Sequence, residues 1–177
     1  MCIRDRPDRI RAVELVPFEA AVQAGVAMIM TAHVLYPAFD DERPATLSAS
    51  IVTGLLREEL EFEGVIATDD LEMTALTGRS TIEEAAVLAV EAGCDVLLLC
   101  GEDADRHASV LEALIHAVES ERVPVSRVED AVARQRRAKE RFLVNRERRR
   151  PPTMAQLRSL LGTPAHVAIA EEMASFL

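Results

Sequence analysis

Hydrophobic residues in this chain follow two patterns, continuous runs and longer stretches in which they recur every three or four positions. The continuous runs predict buried strands, which we place at 26–34, 64–68 and 94–100. The stretches with helical spacing predict helices, which we place at 14–25, 50–61, 80–93, 105–120 and 126–145. Because strands alternate with helices, the pattern favours an α/β fold with a parallel sheet covered on its faces.

Polar residues at the predicted helix starts supply capping signals. Ser48 is placed to cap the second helix, and Ser80 with Glu83 forms a Ser-x-x-Glu capping box. Ser126 and Glu129 open the last long helix in the same way. The segment between the first strand and Ser48 carries two prolines, so we predict a loop there.

Residues 146–177 are predicted to be a linker and a helical tail, with two short amphipathic helices on either side of Gly162. The preceding region is rich in arginine, and nine of the twenty Lys and Arg residues lie between Arg134 and Arg150. Such a run is either a patch for an anionic partner or a solvated helix face that leads into the linker. We favour the second interpretation, because aromatic residues that could stack on nucleotide bases are scarce.

Composition narrows the class of protein. The 177 residues are 49% hydrophobic and 28% charged, which is typical of one globular domain. The net charge of −10 argues against a nucleic-acid partner, and no apolar run reaches the roughly 20 residues of a membrane span. Cys2, Cys94 and Cys100 have no metal-ligand spacing, so we expect reduced thiols, with the latter two buried. We expect no metal and no cofactor, and we expect a cytoplasmic protein.

The first six residues have a different origin from the rest in our interpretation. "MCIRDR" resembles the translation of a sequencing-adapter end. We therefore expect residues 1–6 to be a scar and the gene to have been cut just upstream of Pro7, although a genuine start is the alternative.

Polar residues follow each predicted strand. Thr31 and His33 end the first, Asp69 and Asp70 follow the second, and residues 101–103 follow the third. The carboxyl ends of parallel strands are where functional groups collect in α/β proteins. Asp69 could be a covalent nucleophile, a metal ligand or a phospho-acceptor, or it could bond the backbone of the next loop. His33 alone is more typical of a hydrogen-bonded core histidine than of a catalyst.

The stretch "LLREELEFEGVIATDDLEM" resembles the active-site signature of glycoside hydrolase family 3. The signature comprises two aliphatic residues, a basic residue, an acidic or polar residue, a glycine, an apolar strand and then Ser/Thr-Asp. The positions that match it in order are Leu55, Leu56, Arg57, Glu59, Gly64, Val65, Ile66, Thr68 and Asp69. Two positions depart from it: Ala67, where a larger apolar residue is usual, and Glu72, where a small or amide residue is usual.

The flanking segments resemble one branch of that family, the β-N-acetylglucosaminidases. "MTAHVLYPAFDDERPATLS" upstream and the "DDLEM" form are similar to that branch. "EAAVLAVEAGCDVLLLC" and "SRVEDAVARQRRAKERF" are similar to the closing segments of the family's barrel. The resemblance extends from Arg9 to Phe142.

The resemblance implies that residues 7–145 are the C-terminal portion of a TIM (β/α)₈ barrel, about three βα units, which correspond to strands six to eight. Asp69 then matches the nucleophile of a retaining glycoside hydrolase, and His33, Asp70 and Met73 bind substrate or line the site. Asp70 is expected to act as a supporting hydrogen-bond acceptor. The expected partner is a carbohydrate, an N-acetylglucosaminyl muropeptide of the cell wall.

The family's acid/base group lies on a loop near a Lys-His-Phe-Pro-Gly-His-Gly motif, which this sequence does not contain. We therefore expect the 177 residues to be inactive alone. Two alternatives stay open, a β-glucosidase or β-xylosidase of the same family and a non-enzymatic receiver-like α/β module. The receiver would need a lysine after a late strand, but the only lysine is Lys139 in a predicted helix.

Overall fold

A computed structural model describes residues 6–77, 80–144 and 152–175. Packing divides the chain into two units, Met1–Val144 and Asn145–Leu177. The predicted scar therefore lies outside the described residues except for Arg6, and so does Cys2.

The first unit contains a parallel sheet and a small hairpin. Its strands are β1 (Met28–Met30), β2 (Leu35–Tyr36), β3 (Asp40–Pro44), β4 (Val65–Asp70) and β5 (Val96–Leu98). Among the described residues, the sheet has the order β1-β4-β5 and both of its strand pairs are parallel. This arrangement confirms the predicted α/β class and the three adjacent parallel strands.

The described residues also form helices, and those of the first unit pack against the sheet. The α-helices are α1 (Pro7–Arg9), α2 (Val16–Gln23), α3 (Thr74–Thr77), α4 (Ile82–Ala92), α5 (Ala104–Glu119), α6 (Val125–Lys139), α7 (Met154–Leu160) and α8 (Pro164–Ala174). Helical segments with the wider π-type spacing are Ile10–Glu14, Ser50–Glu59 and Glu140–Val144, and Ala45–Leu47 is a 3₁₀ turn. The helix α4 ends at Gly93, whose φ of +118° is a conformation that glycine adopts without a Cβ clash.

The main core lies between the sheet and the helices. Ile29 of β1 and Ile66 of β4 face each other in register and pack against Leu56 and Ala86. The prediction of a fully buried first strand is wrong, because Met28 is 47% exposed and Met30 is 57% exposed. Met28 and Met30 alternate with the buried Ile29, so their side chains lie on the face of β1 opposite the main core.

The helices α4 and α6 begin differently from the prediction. Thr81, not Ser80, caps α4, and its hydroxyl accepts a hydrogen bond from the Glu84 backbone N–H at 3.2 Å. The Ser80 hydroxyl is buried without a hydrogen-bond partner among the described residues. The helix α6 begins at Val125 after Pro124, without a side-chain cap. In both cases the backbone turns into the helix at a different residue from the one that the sequence motif marks.

The segment predicted as a loop before Ser48 instead forms the antiparallel hairpin of β2 and β3. Asp40 stabilises it, because its carboxylate accepts hydrogen bonds from the backbone N–H groups of Glu42 at 3.0 Å and Arg43 at 2.9 Å. Ser48 caps the following helical segment as predicted, with its hydroxyl 3.4 Å from the Ile51 nitrogen.

The second unit contains the two predicted short helices, α7 and α8. Thr153 and Gln156 form a reciprocal capping box at the start of α7, and the Thr163 hydroxyl caps α8. None of the helices within the described ranges is long and apolar enough to cross a membrane.

Candidate active site at the carboxyl ends of the strands

The predicted site residues of the first two strands meet at one edge of the sheet. His33, just beyond β1, places its Nε2 atom 2.8 Å from the carbonyl oxygen of Asp70 at the end of β4. The strand β4 continues through Asp70 rather than ending at Thr68 as predicted. It continues because Leu71 N–H still donates to the Leu98 carbonyl of β5 at 3.0 Å, beyond a register shift.

The two aspartates lie in an irregular part of β4. Ala67 pairs with Val96 and Asp70 pairs with Leu98, so β4 has one more residue than β5 between these two pairs. Asp69 lies in this bulge at the carboxyl end of the central strand, and both aspartates are half-buried. Among the hydrogen bonds of the described residues, the Asp69 carboxylate accepts from the Asp70 N–H.

Asp70 is tied into the protein through every polar group it has. Its backbone N–H donates to Asp69 Oδ1 at 2.8 Å, and its carbonyl accepts from His33. Its carboxylate Oδ1 accepts from the backbone N–H groups of Glu72 and Cys100, each at 3.1 Å. The Asp70 side chain thus connects the loop after β4 to the loop after β5, and its role as a supporting acceptor in catalysis stays a prediction.

Glu72, where the signature usually has a small or amide residue, makes a second connection between these loops. Its carboxylate accepts from the backbone N–H of Gly101 and from Arg106 Nη1, the latter at 2.7 Å. The Arg106 hydrogen bond, with help from Gly101, lowers the pKa of Glu72. The approach is close, since a Cβ at position 101 would lie 2.5 Å from Glu72 Oε2, the movable end of that side chain. The departure from the signature is therefore matched by partners in the next loop.

The remaining predicted site residues differ in exposure. His33 is 7% exposed and both of its ring nitrogens have protein partners, as in a hydrogen-bonded core histidine. Met73 is 44% exposed just after the loop turns away from β4. Their assignment as substrate-binding or site-lining residues stays a prediction.

The two described cysteines have different environments. Cys94 is buried as predicted, and burial raises the pKa of its thiol to about 12. Cys100 is exposed, which contradicts the prediction of a buried thiol. It lies in the loop beyond the last residue of β5, where the chain has left the core.

Arg57 of the signature lies at the other end of the sheet and has a structural role. Its guanidinium donates to the carbonyl of Gly64 at 2.7 Å and forms an ion pair with Asp95 at 2.6 Å. The Asp95 side chain is fully buried and also pairs with Arg127 at 2.6 Å. The sequence analysis missed this network, although a carboxylate inside an otherwise apolar run was a signal that it needed partners.

The carboxyl edge of the sheet presents the carboxylates of Asp69 and Asp70. Within the described ranges, no three His, Cys, Asp or Glu side chains come together in a way that could hold a metal ion. Asp69 has an oxygen that accepts from Asp70 N–H, and its side chain is partly exposed. A partly exposed, hydrogen-bonded carboxylate at a strand end can act as a nucleophile.

Comparison with known proteins identifies the family to which this chain is similar. The model of the glycosyl hydrolase family 3 N terminal domain matches residues 1–138. The chain is 38% identical over 112 residues to a β-hexosaminidase of Stenotrophomonas maltophilia, which covers 63% of this chain and 31% of that protein. The match covers between a quarter and about a third of the length of such curated relatives.

Solved structures agree with this match. A family 3 β-N-acetylglucosaminidase from Paenibacillus sp. is 39% identical with a TM-score of 0.79, over 86% of this chain and 29% of that one. The β-N-acetylglucosaminidase from Thermotoga maritima is 29% identical with a TM-score of 0.72, over 77% of this chain and 30% of that one. The parallel sheet and its helices are accordingly part of a TIM barrel, as the sequence resemblance implied. The chain belongs to glycosyl hydrolase family 3 and carries part of the barrel in the family's N terminal domain.

Proposed function

We propose that this chain is part of the catalytic barrel of a retaining β-N-acetylglucosaminidase and that Asp69 is its nucleophile. The observation that carries the proposal is the different environment of the two neighbouring aspartates. The Asp70 carboxylate is committed to the loops after β4 and β5, whereas the Asp69 carboxylate at the strand end accepts, among the described residues, from the neighbouring Asp70 N–H. The names of the matched relatives, β-hexosaminidase and β-N-acetylglucosaminidase, support the substrate class.

In the proposed reaction, a carboxylate oxygen of Asp69 attacks the anomeric carbon of the sugar. The bond from that carbon to the leaving oxygen breaks, and the leaving oxygen takes a proton from an acid on another part of the enzyme. Water then cleaves the glycosyl–Asp69 ester, with the same group acting as the base. Asp70 keeps Asp69 oriented, because its N–H donates to Asp69 Oδ1 at 2.8 Å.

The finer assignments also belong to this proposal. We propose a muropeptide of the cell wall as the natural substrate, a cytoplasmic location, and a role in peptidoglycan recycling. The branch-specific "MTAHVLYPAFDDERPATLS" segment supports the N-acetylglucosaminyl preference. The acid/base motif is absent from the 177 residues, so we propose that they need the rest of a full-length enzyme for turnover.

Substitution of the two aspartates in the full-length enzyme tests the nucleophile. We expect Asp69→Ala to abolish hydrolysis of an aryl N-acetylglucosaminide, because it removes the covalent route. Asp70→Ala should leave a measurable fraction of the activity, since its backbone N–H and carbonyl remain. A mechanism-based fluorosugar should label the peptide that contains Asp69. Labelling of a peptide without Asp69 would refute the assignment.

A further inference from the structure

We propose that His33 is a positioning residue that orients the Asp69 carboxylate through Asp70 without touching substrate. This inference rests on the proposed function and adds to it a buried hydrogen-bond relay from β1 to β4. The relay starts with Thr31, whose hydroxyl donates to the Thr46 hydroxyl at 2.9 Å. Thr46 Oγ1 lies 2.8 Å from His33 Nδ1, and His33 Nε2 lies 2.8 Å from the Asp70 carbonyl oxygen.

The partners determine the direction of this relay. A carbonyl oxygen can only accept, so the hydrogen of the His33 ring is on Nε2. Thr46 accepts from Thr31, and its own hydrogen then points to Nδ1. In this arrangement the two hydroxyls, the His33 ring and the Asp70 carbonyl each have a partner.

The relay reaches Asp69 through the backbone of Asp70. His33 holds the Asp70 carbonyl, and the Asp70 N–H donates to Asp69 Oδ1 at 2.8 Å. The Asp70 carboxylate in turn accepts hydrogen bonds from the backbone N–H groups of Glu72 and Cys100. The position of Asp70 is thus set from β1 on one side and from the loop after β5 on the other.

The surroundings of His33 suit it to orient a neighbouring group and not to bind the sugar. It is 7% exposed, and each of its nitrogens already has a protein partner, so it offers no polar atom to a sugar. Displacing a catalytic group by about 1 Å can lower the rate about 100-fold. Loss of the ring should therefore lower kcat and leave KM nearly unchanged, because substrate contacts are not removed.

Steady-state kinetics of the full-length enzyme on an aryl N-acetylglucosaminide, together with fluorosugar labelling, test this inference. We expect His33→Ala to lower kcat about 100-fold, with KM within threefold of wild type and slower labelling of Asp69. His33→Gln, whose amide N–H can replace Nε2–H, should restore at least a tenth of the wild-type kcat. Thr46→Val breaks the relay one step earlier and should give an intermediate loss. His116→Gln is the matched control, because the His116 side chain is 82% exposed and far along α5, and it should be unchanged.

A rise in KM with kcat unchanged would show that His33 contacts substrate and would overturn the inference. A wild-type kcat in both His33 variants, or no advantage of Gln over Ala in soluble protein, would overturn it as well. If His33→Ala does not fold, the kcat values of His33→Gln and Thr46→Val are compared with that of the wild type instead. A wild-type kcat in both of these variants would refute the relay. Failure of the proposed function gives a different result, since the wild-type enzyme would then be neither active nor labelled at Asp69.

Discussion

Removal of the buried charge of Asp95 should destabilise the protein strongly without affecting the site chemistry. The Asp95 side chain is fully buried, and its partners Arg57 and Arg127 are 13% and 18% exposed. Its Oδ2 accepts from Arg57 at 2.6 Å and from the Ile66 N–H at 2.9 Å, and its Oδ1 accepts from Arg127 at 2.6 Å. The substitution Asp95→Asn keeps the shape and removes the charge.

The expected magnitude follows from these contacts. The amide oxygen of an asparagine can still accept from Arg57 and Ile66, but its NH₂ group would then face the Arg127 guanidinium, donor against donor. Removing one member of a buried ion pair costs about 3–5 kcal/mol. Arg127 keeps an ion pair with Asp130 at 3.0 Å, so we expect a value near the lower end, about 3 kcal/mol.

Urea unfolding of the full-length enzyme, followed by far-UV circular dichroism, measures this loss. The matched control is Glu84→Gln, which breaks the exposed pair with Arg122, whose side chains are 45% and 38% exposed. An exposed pair contributes about 1 kcal/mol or less. If Asp95→Asn loses no more than the control, the network does not stabilise the sheet and the reasoning fails. The KM of the folded variant should equal that of wild type, because Asp95 lies at the opposite end of the strands.

Three further predictions concern the site rim and the chain itself. Gly101→Ala should leave kcat/KM of the full-length enzyme within about threefold of wild type, because the added Cβ meets only the movable end of the Glu72 side chain, and a tenfold loss would show that this carboxylate cannot shift. In native protein, iodoacetamide should modify Cys100 and spare Cys94, whose buried thiol has a pKa of about 12, and peptide mapping that finds equal labelling would be inconsistent with the burial. Residues 1–177 expressed alone should be inactive on an aryl N-acetylglucosaminide. They should also aggregate in size-exclusion chromatography, since β1 and β5 are unpaired edges of the described sheet. A monodisperse, active sample would refute this prediction.

Much of the architecture could be predicted from local patterns. The three apolar runs locate β1, β4 and β5 within a few residues, because a strand buried between helices needs continuous apolar side chains. The alternation of strands and helices then determines that the strands are parallel, which brings their carboxyl ends to one edge. The family signature identified Asp69 as the residue of interest at that edge, and His33 was placed there with it.

The features that the sequence left open depend on hydrogen-bond and ion-pair partners that are distant along the chain. Glu72 looked out of place in the signature, yet its carboxylate is satisfied by Gly101 and Arg106, 29 and 34 residues away. Asp95 is 38 residues from Arg57, and only the folded protein brings together the two arginines that compensate its burial. Likewise, Thr81 caps α4 in place of the predicted Ser80, because the backbone enters the helix one residue later.

The sequence by itself therefore determined the elements, their order and the identity of the carboxylate pair, since these depend on side-chain period and short-range chemistry. Only the tertiary structure decided which aspartate is committed to the scaffold. The Asp70 carbonyl bonds to His33, just beyond β1, and the Asp70 carboxylate bonds to the loop after β5, while the Asp69 carboxylate has the Asp70 N–H as its partner among the described residues. A buried polar group must find its hydrogen bonds wherever the chain brings them, and that pairing cannot be determined from neighbouring residues alone.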